Sequence, residues 1–88
     1  MQIEFTGSFA KDLKKITEKS IRKRIEYLIG QIEQSHSLKE ISGVVKIQSV
    51  KVHFRLRVGD YRLGIVQQDN VILFVRCLHR KDIYRFFP

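Results

Sequence analysis

Strict alternation from His53 to Val58, followed at once by Gly59-Asp60, leaves this part of the chain little choice but a β-hairpin. At the two-residue period of a strand, Phe54, Leu56 and Val58 fall on one side and His53, Arg55 and Arg57 on the other. Glycine tolerates positive φ and aspartate bonds its own backbone, so Gly59-Asp60 turns the chain and Tyr61 returns antiparallel. The return places Arg62 beside Arg55 and Arg57. One hairpin surface is therefore apolar. The other carries an imidazole and three guanidinium groups, a set suited to a phosphate.

The remaining elements must cover the apolar side. Gln2 to Phe5 alternates and reads as a first strand, ended by Thr6, Gly7 and Ser8. Phe9, Leu13 and Ile16 recur at helical spacing behind Ser8, a natural N-cap. Thr17 is placed to cap a second helix, whose stripe is Ile21, Ile25, Leu28, Ile29 and Ile32. The basic run Arg22, Lys23, Arg24 reads mostly as its solvated face. Gly30 costs that helix about 1 kcal/mol relative to alanine, and close packing is the candidate reason for it. Gln34 to Ser42 lacks periodicity and reads as an exit loop, with His36 on the surface.

Gly43 opens the sheet half. Val44 to Ile47 and Val50 to Val58 are rich in β-branched residues, with a bend or a bulge near Gln48-Ser49. Tyr61 to Gln67 is the hairpin return, Gln68-Asp69-Asn70 a second turn, and Val71 to Leu78 a central strand covered on both faces. Arg76 in so apolar a strand needs an ionic partner, with Glu4 or Asp82 the candidates. Cys77 reads as a small buried hydrophobe, and a lone cysteine makes no internal disulfide. Ile83, Phe86 and Phe87 end the chain in a helical turn with Asp82 at its start. The expected fold is α+β: two N-terminal helices on one face of a small, mostly antiparallel, roughly four-stranded sheet, with a short C-terminal helical turn. The opposite face, or its concavity with the tail, is the candidate site.

The chain is a single domain, residues 1–88, with a net charge of +8. Residues 1–40 hold eight bases and six acids, residues 41–88 nine bases and three acids, so positive charge collects on the sheet half. That asymmetry favours a polyanion, most simply nucleic acid, and also an acidic protein. No apolar run approaches the roughly 20 residues of a membrane span, and the N-terminus has no signal pattern, so a cytoplasmic protein without a membrane partner is expected.

The order of elements, the RVGDYRL segment at Arg57–Leu63 and the ending RCLHRKDIYR at Arg76–Arg85 together resemble the RelE/ParE superfamily of bacterial toxins, on the RelE side. The resemblance spans nearly the whole chain. It implies an mRNA interferase of a type II toxin–antitoxin system, an endoribonuclease that cuts mRNA in the ribosomal A site. It also implies a cognate antitoxin, acidic where it wraps the toxin, and contact with operator DNA only through the antitoxin complex. No cofactor and no metal are expected. On matched positions, the family's basic residues and its terminal arginine and tyrosine fall on Arg55, Arg62, Arg80 and Tyr84, with His79 beside them. His53 stands where the family commonly has lysine, and Leu78 where many relatives have glycine. His53, Arg57, Lys81 and Arg85 are the expected substrate contacts.

RNA cleavage of this kind sends a 2′-hydroxyl against the neighbouring phosphorus. The charge growing on the phosphoryl oxygens suits the planar, always protonated forks of Arg55, Arg62 and Arg80. Proton transfer falls to Tyr84, His79 or His53. Histidine titrates near neutrality, whereas tyrosine, ordinarily near 10, needs neighbouring cations. The expected arrangement has Arg62 and Arg80 clamping the phosphate, Arg55 supporting them, Tyr84 or His79 taking the 2′-hydroxyl proton and His53 protonating the leaving group. Two readings compete with it. One is a ParE-like gyrase poison, and the other a basic nucleic-acid-binding module without activity. The pair Phe86-Phe87 belongs either to an antitoxin interface or to the core.

Overall fold

The computed structural model describes residues 1–47 and 52–88. The bend or bulge expected near Gln48-Ser49 lies outside the described residues. Five strands form one sheet in the order β1-β5-β4-β3-β2: β1 (Gln2–Phe5), β2 (Val44–Lys46), β3 (His53–Val58), β4 (Tyr61–Gln68) and β5 (Val71–His79). β1 runs parallel to β5 and the other pairs are antiparallel. The sheet has five strands rather than about four.

Helices α1 (Gly7–Lys15) and α2 (Lys19–Gln34) lie on one face. The stripes expected from the sequence are the ones that bury: Phe9 and Ile16 from the first helical segment, Ile25 and Ile32 from α2, against Leu56, Val58, Leu63 and Phe74 of the sheet. Each such side chain contributes about 1.5–3 kcal/mol by leaving water. Arg22, Lys23 and Arg24 are exposed, as the period requires. The caps differ from expectation. Thr6, not Ser8, caps α1, its Oγ1 accepting from the Phe9 N–H at 3.0 Å. Thr17 does not cap α2; Glu18 holds that position with no side-chain hydrogen bond. Gly30 is no packing device, because a Cβ there would meet nothing within 4 Å. The exit loop also contains a 3-10 turn, Leu38–Glu40, closed by a reciprocal Ser37–Glu40 capping box. The His36 and Ser37 N–H groups hold the Glu40 carboxyl below its ordinary range.

Beyond Phe74 the edge of β5 has no strand partner, and α1 takes over. Thr6 N–H donates to the Phe74 carbonyl at 3.0 Å and Thr6 Oγ1 to that of Val75 at 2.8 Å. Asp12, buried, accepts from Cys77 N–H at 2.9 Å and from Arg76 Nε and Nη2 at 2.8 and 3.0 Å. Arg76 therefore has its ionic partner, but it is Asp12 rather than Glu4 or Asp82. The hydrogen bond to Asp12 raises the Arg76 pKa further above its ordinary value. Cys77 is buried, and desolvation pushes its thiol up to about 12, which makes it inert at neutral pH.

β5 carries a register shift opposite Gly64/Ile65: Gly64 faces Arg76, whereas Ile65 faces Phe74, leaving Val75 as an extra residue. The last helix, α3 (Ile83–Phe86), turns under the second face of the sheet. There Ile83 and Phe87 bury with Ile47 against Val66, Val75 and Leu78. Among the described residues, no helix is long and apolar enough to cross a membrane.

Removing the carboxylate of Asp12 strips partners from a backbone N–H and from a guanidinium whose side chain is only 23% exposed. Asp12→Ala should cost about 2–3 kcal/mol in urea unfolding, below the full cost of breaking a buried pair because Arg76 keeps some water. A loss under about 0.5 kcal/mol would contradict this role for Asp12.

Candidate functional site

The hairpin is tied at its turn before it presents anything. Gly59 adopts a φ of +57°, which admits the tight reversal, and Arg57 then stands directly opposite Arg62. Arg62 Nη1 donates to the carbonyls of Gly59 and Tyr61 at 2.8 and 2.9 Å. Half of this guanidinium braces the turn. Nε and Nη2 have no protein partner among the described residues and remain available to an anion.

The C-terminal tail closes the site from the other side. Gly64, opposite Arg55 in the ladder, lies under the ring of Phe87: a Cβ at Gly64 would stand 2.5–2.7 Å from three of its ring carbons. Only a bare backbone lets the ring lie there. Phe87 N–H donates to the Ile83 carbonyl at 2.9 Å, so one turn of helix hangs from this contact. On that turn Tyr84, 66% exposed, receives the Arg55 guanidinium 4.5 Å from its ring centroid.

Arg55, Arg57, Arg62 and Tyr84 thus line one depression of about 320 Å³, floored by Gly43 and Val45. Among the described residues, no acidic side chain lines it. Three cations held together without a counter-charge form a site that an anion relieves, and Tyr84 is the proton-carrying side chain among them.

Other expected site residues are placed elsewhere. Arg80 does not line the depression; it lies at the end of β5, its N–H on the Asp60 carbonyl at 2.7 Å and its Nε 4.0 Å from Asp60 Oδ1. His79 pairs with Tyr61, which packs with the helices, so it sits on the opposite face from Arg62. Its Nδ1 accepts from Lys81 N–H at 3.2 Å and its ring meets Tyr61 edge-on at 5.8 Å. His53 is on the arginine face but beneath the tail, 5.3 Å from Phe87, with a buried Nδ1 that has no partner among the described residues. Lys81 and Arg85 are exposed, and Arg85 lies 5.8 Å over the Phe86 ring. The terminal aromatic pair divides: Phe87 is buried, Phe86 exposed. The sequence reading missed Gly64, although a glycine inside the YRLGIVQQ strand is the standard sign of a bulge or a close approach.

Comparison with known proteins adds a family. A model described as the ParE toxin of the type II toxin–antitoxin system parDE matches residues 3–84. Toxin RelE3 of Methanocaldococcus jannaschii is 42% identical over 89 residues, taking in the whole of both chains. A chain of the RelB–RelE antitoxin–toxin complex from Methanococcus jannaschii superposes with a TM-score of 0.83 at 41% identity, over 97% of this chain and 99% of that one. YafQ from E. coli strain BL21(DE3) has a TM-score of 0.73 at 24% identity, over 94% of this chain and 97% of that one, a likeness of fold alone.

Gly64→Ala should lift Phe87 and release the tail while leaving the helix-side core intact. Nuclear Overhauser contacts between the Phe87 and His53 rings should vanish, and the tail should exchange amide protons faster. Unchanged contacts in a folded Gly64→Ala protein would show that the glycine is not what seats the ring.

Proposed function

The chain belongs to the RelE/ParE family of toxins of type II toxin–antitoxin systems, and on that premise we propose that it is a RelE-like endoribonuclease cleaving mRNA in the ribosomal A site. The observation that carries this reading is the convergence of three guanidinium groups and one phenol on a single depression with no acid in its lining among the described residues. A binding surface needs only scattered cations; strand cleavage needs charge stabilisation and a proton carrier at one point.

The scissile phosphate sits against Arg57 and the free edge of Arg62, with Arg55 supporting from beneath Tyr84. The 2′-hydroxyl attacks the phosphorus, the P–O5′ bond breaks in line, and a 2′,3′-cyclic phosphate and a 5′-hydroxyl result. Tyr84 takes the 2′-hydroxyl proton, and the departing oxygen takes one from water in the open cleft. Arg57 thereby assumes the clamping role expected of Arg80, which with Lys81 and Arg85 serves the approach of a long polyanion at the rim. His53 acts through the tail, packing against Phe87, and His79 supports the strand end.

The chain also has a cognate antitoxin in this reading. The similar chain from Methanococcus jannaschii comes from a RelB–RelE complex, and a net charge of +8 suits an acidic wrapping segment. Phe86, exposed between Arg76 at 5.1 Å and Arg85, is the apolar residue such a segment reaches first. Operator DNA is met only through that complex.

A second reading, a gyrase poison, is favoured by one observation, the ParE description of the matching family model. A translation reaction with mapped mRNA ends and a gyrase supercoiling assay separate the two. Codon-phased breaks are expected from the wild type, with supercoiling unaffected. Tyr84→Phe keeps the ring against Arg55 but loses the proton carrier, and should cut about 10²–10⁴-fold more slowly at unchanged thermal stability. Arg57→Ala should lose about 10²–10³-fold. Wild-type rates in both variants, or gyrase inhibition without mRNA breaks, would contradict the nuclease reading.

A further inference from the structure

A second depression, of about 380 Å³, adjoins the cleft on the helix side of the sheet edge, and the function above leaves it unused. Lys23, Arg24, Tyr27 and Leu28 of α2 line it together with Ser42 and Arg57. Arg57 lines both depressions, and Ser42 of this one adjoins Gly43 of the other. The two meet at Arg57, which is exposed beside the start of β2 and whose N–H donates to the carbonyl of Gly43, a lining residue of the cleft, at 3.3 Å. Arg24 joins them as well. Its Nη1 lies over the Gly59 turn, 3.4 Å from where a Cβ would stand, and the carbonyl of that same glycine is held by Arg62.

Tyr27 is 68% exposed on a helix whose apolar stripe lies elsewhere, so burial does not explain an aromatic there. The Gln31 amide donates to its hydroxyl at 3.4 Å, a contact at the ring's polar end. Phosphates spaced along cations with bases on aromatic faces are how proteins hold a single strand. Here Arg57 and Arg62 line one depression with Tyr84, Arg57, Arg24 and Lys23 line the other with Tyr27, and among the described residues no acidic side chain lines either.

Resting on the cleft as the place where RNA is cut, we propose that the RNA strand leaves it past Arg57 along α2, with its phosphates on Arg24 and Lys23 and one flanking base stacked on Tyr27. Tyr27 is then a substrate-binding residue remote from the chemistry, reading strand length and base stacking rather than base identity. An acidic protein segment is the other polyanion the charge admits, but it has no use for an open aromatic face spaced among phosphate-binding groups.

The test is fluorescence anisotropy with 2′-O-methylated RNA, which cannot be cleaved, as a dinucleotide and as a hexanucleotide. Wild-type protein should gain affinity from the shorter to the longer probe. Tyr27→Ala should lose about tenfold on the hexanucleotide, Tyr27→Phe should retain it, and Arg24→Gln and Lys23→Gln should each flatten the salt dependence by about 0.7 in slope. All three positions are solvent-facing, and thermal melts confirm the fold of each variant. If Tyr27→Ala binds the hexanucleotide as wild type does while Arg57→Gln still weakens the dinucleotide, the α2 path is wrong and the cleft stands. If Arg57→Gln weakens neither probe, the cleft reading falls and takes this path with it. A polyglutamate peptide bound through Tyr27 as tightly as the hexanucleotide would also overturn the proposal.

Discussion

The site depends on an aromatic ring resting on a strand that has no side chain beneath it. Phe87 lies on Gly64, Ile83 buries one turn earlier, and between them Tyr84 is held over Arg55. The cluster under the tail is small, three buried residues against twelve in the main core. Elements anchored by so little apolar contact open more readily than the core does. Tyr84 is thus mounted on a lightly anchored segment, while the three arginines are mounted on the sheet hairpin.

Arginine performs two different jobs in this molecule, and the partner tells them apart. Arg76 is met by a buried carboxylate at 2.8 Å, which neutralises it and fastens α1 to the edge of β5. Arg55, Arg57 and Arg62 have no such partner in their shared depression. Their mutual repulsion is carried by a hairpin whose strands are paired on both sides and whose turn Arg62 itself braces. Cations fixed in this way meet an anion without rearrangement.

Much of this was legible from spacing alone. The period of two in His53–Val58 assigned the apolar and cationic faces of the hairpin, and the period of 3.6 in α2 assigned its buried stripe. Other features were hidden for identifiable reasons. The extra residue at Val75 inverts the parity of β5, so strict alternation from Ile72 and Phe74 puts Arg76 in the core and His79 with the arginines, whereas the folded strand does the reverse. The partner of Arg76 sits 64 residues away on α1, a separation that no local pattern encodes. Thr6 rather than Ser8 caps α1 because Thr6 also closes the β5 edge, a tertiary demand. Arg57, expected from the alternation on the cationic face, lines the depression opposite Arg62, but nothing in the spacing separates it from Arg80, which does not.

The most direct test of the account is an NMR titration with a dinucleoside 3′-phosphate, following the Nε–Hε signals of every arginine and the ring signals of every tyrosine. The account predicts that Arg55, Arg57, Arg62 and Tyr84 move together with one dissociation constant while Arg76 stays still behind Asp12. Shifts confined to Arg80, Arg85 and the basic residues of α2, with the cleft arginines silent, would contradict it.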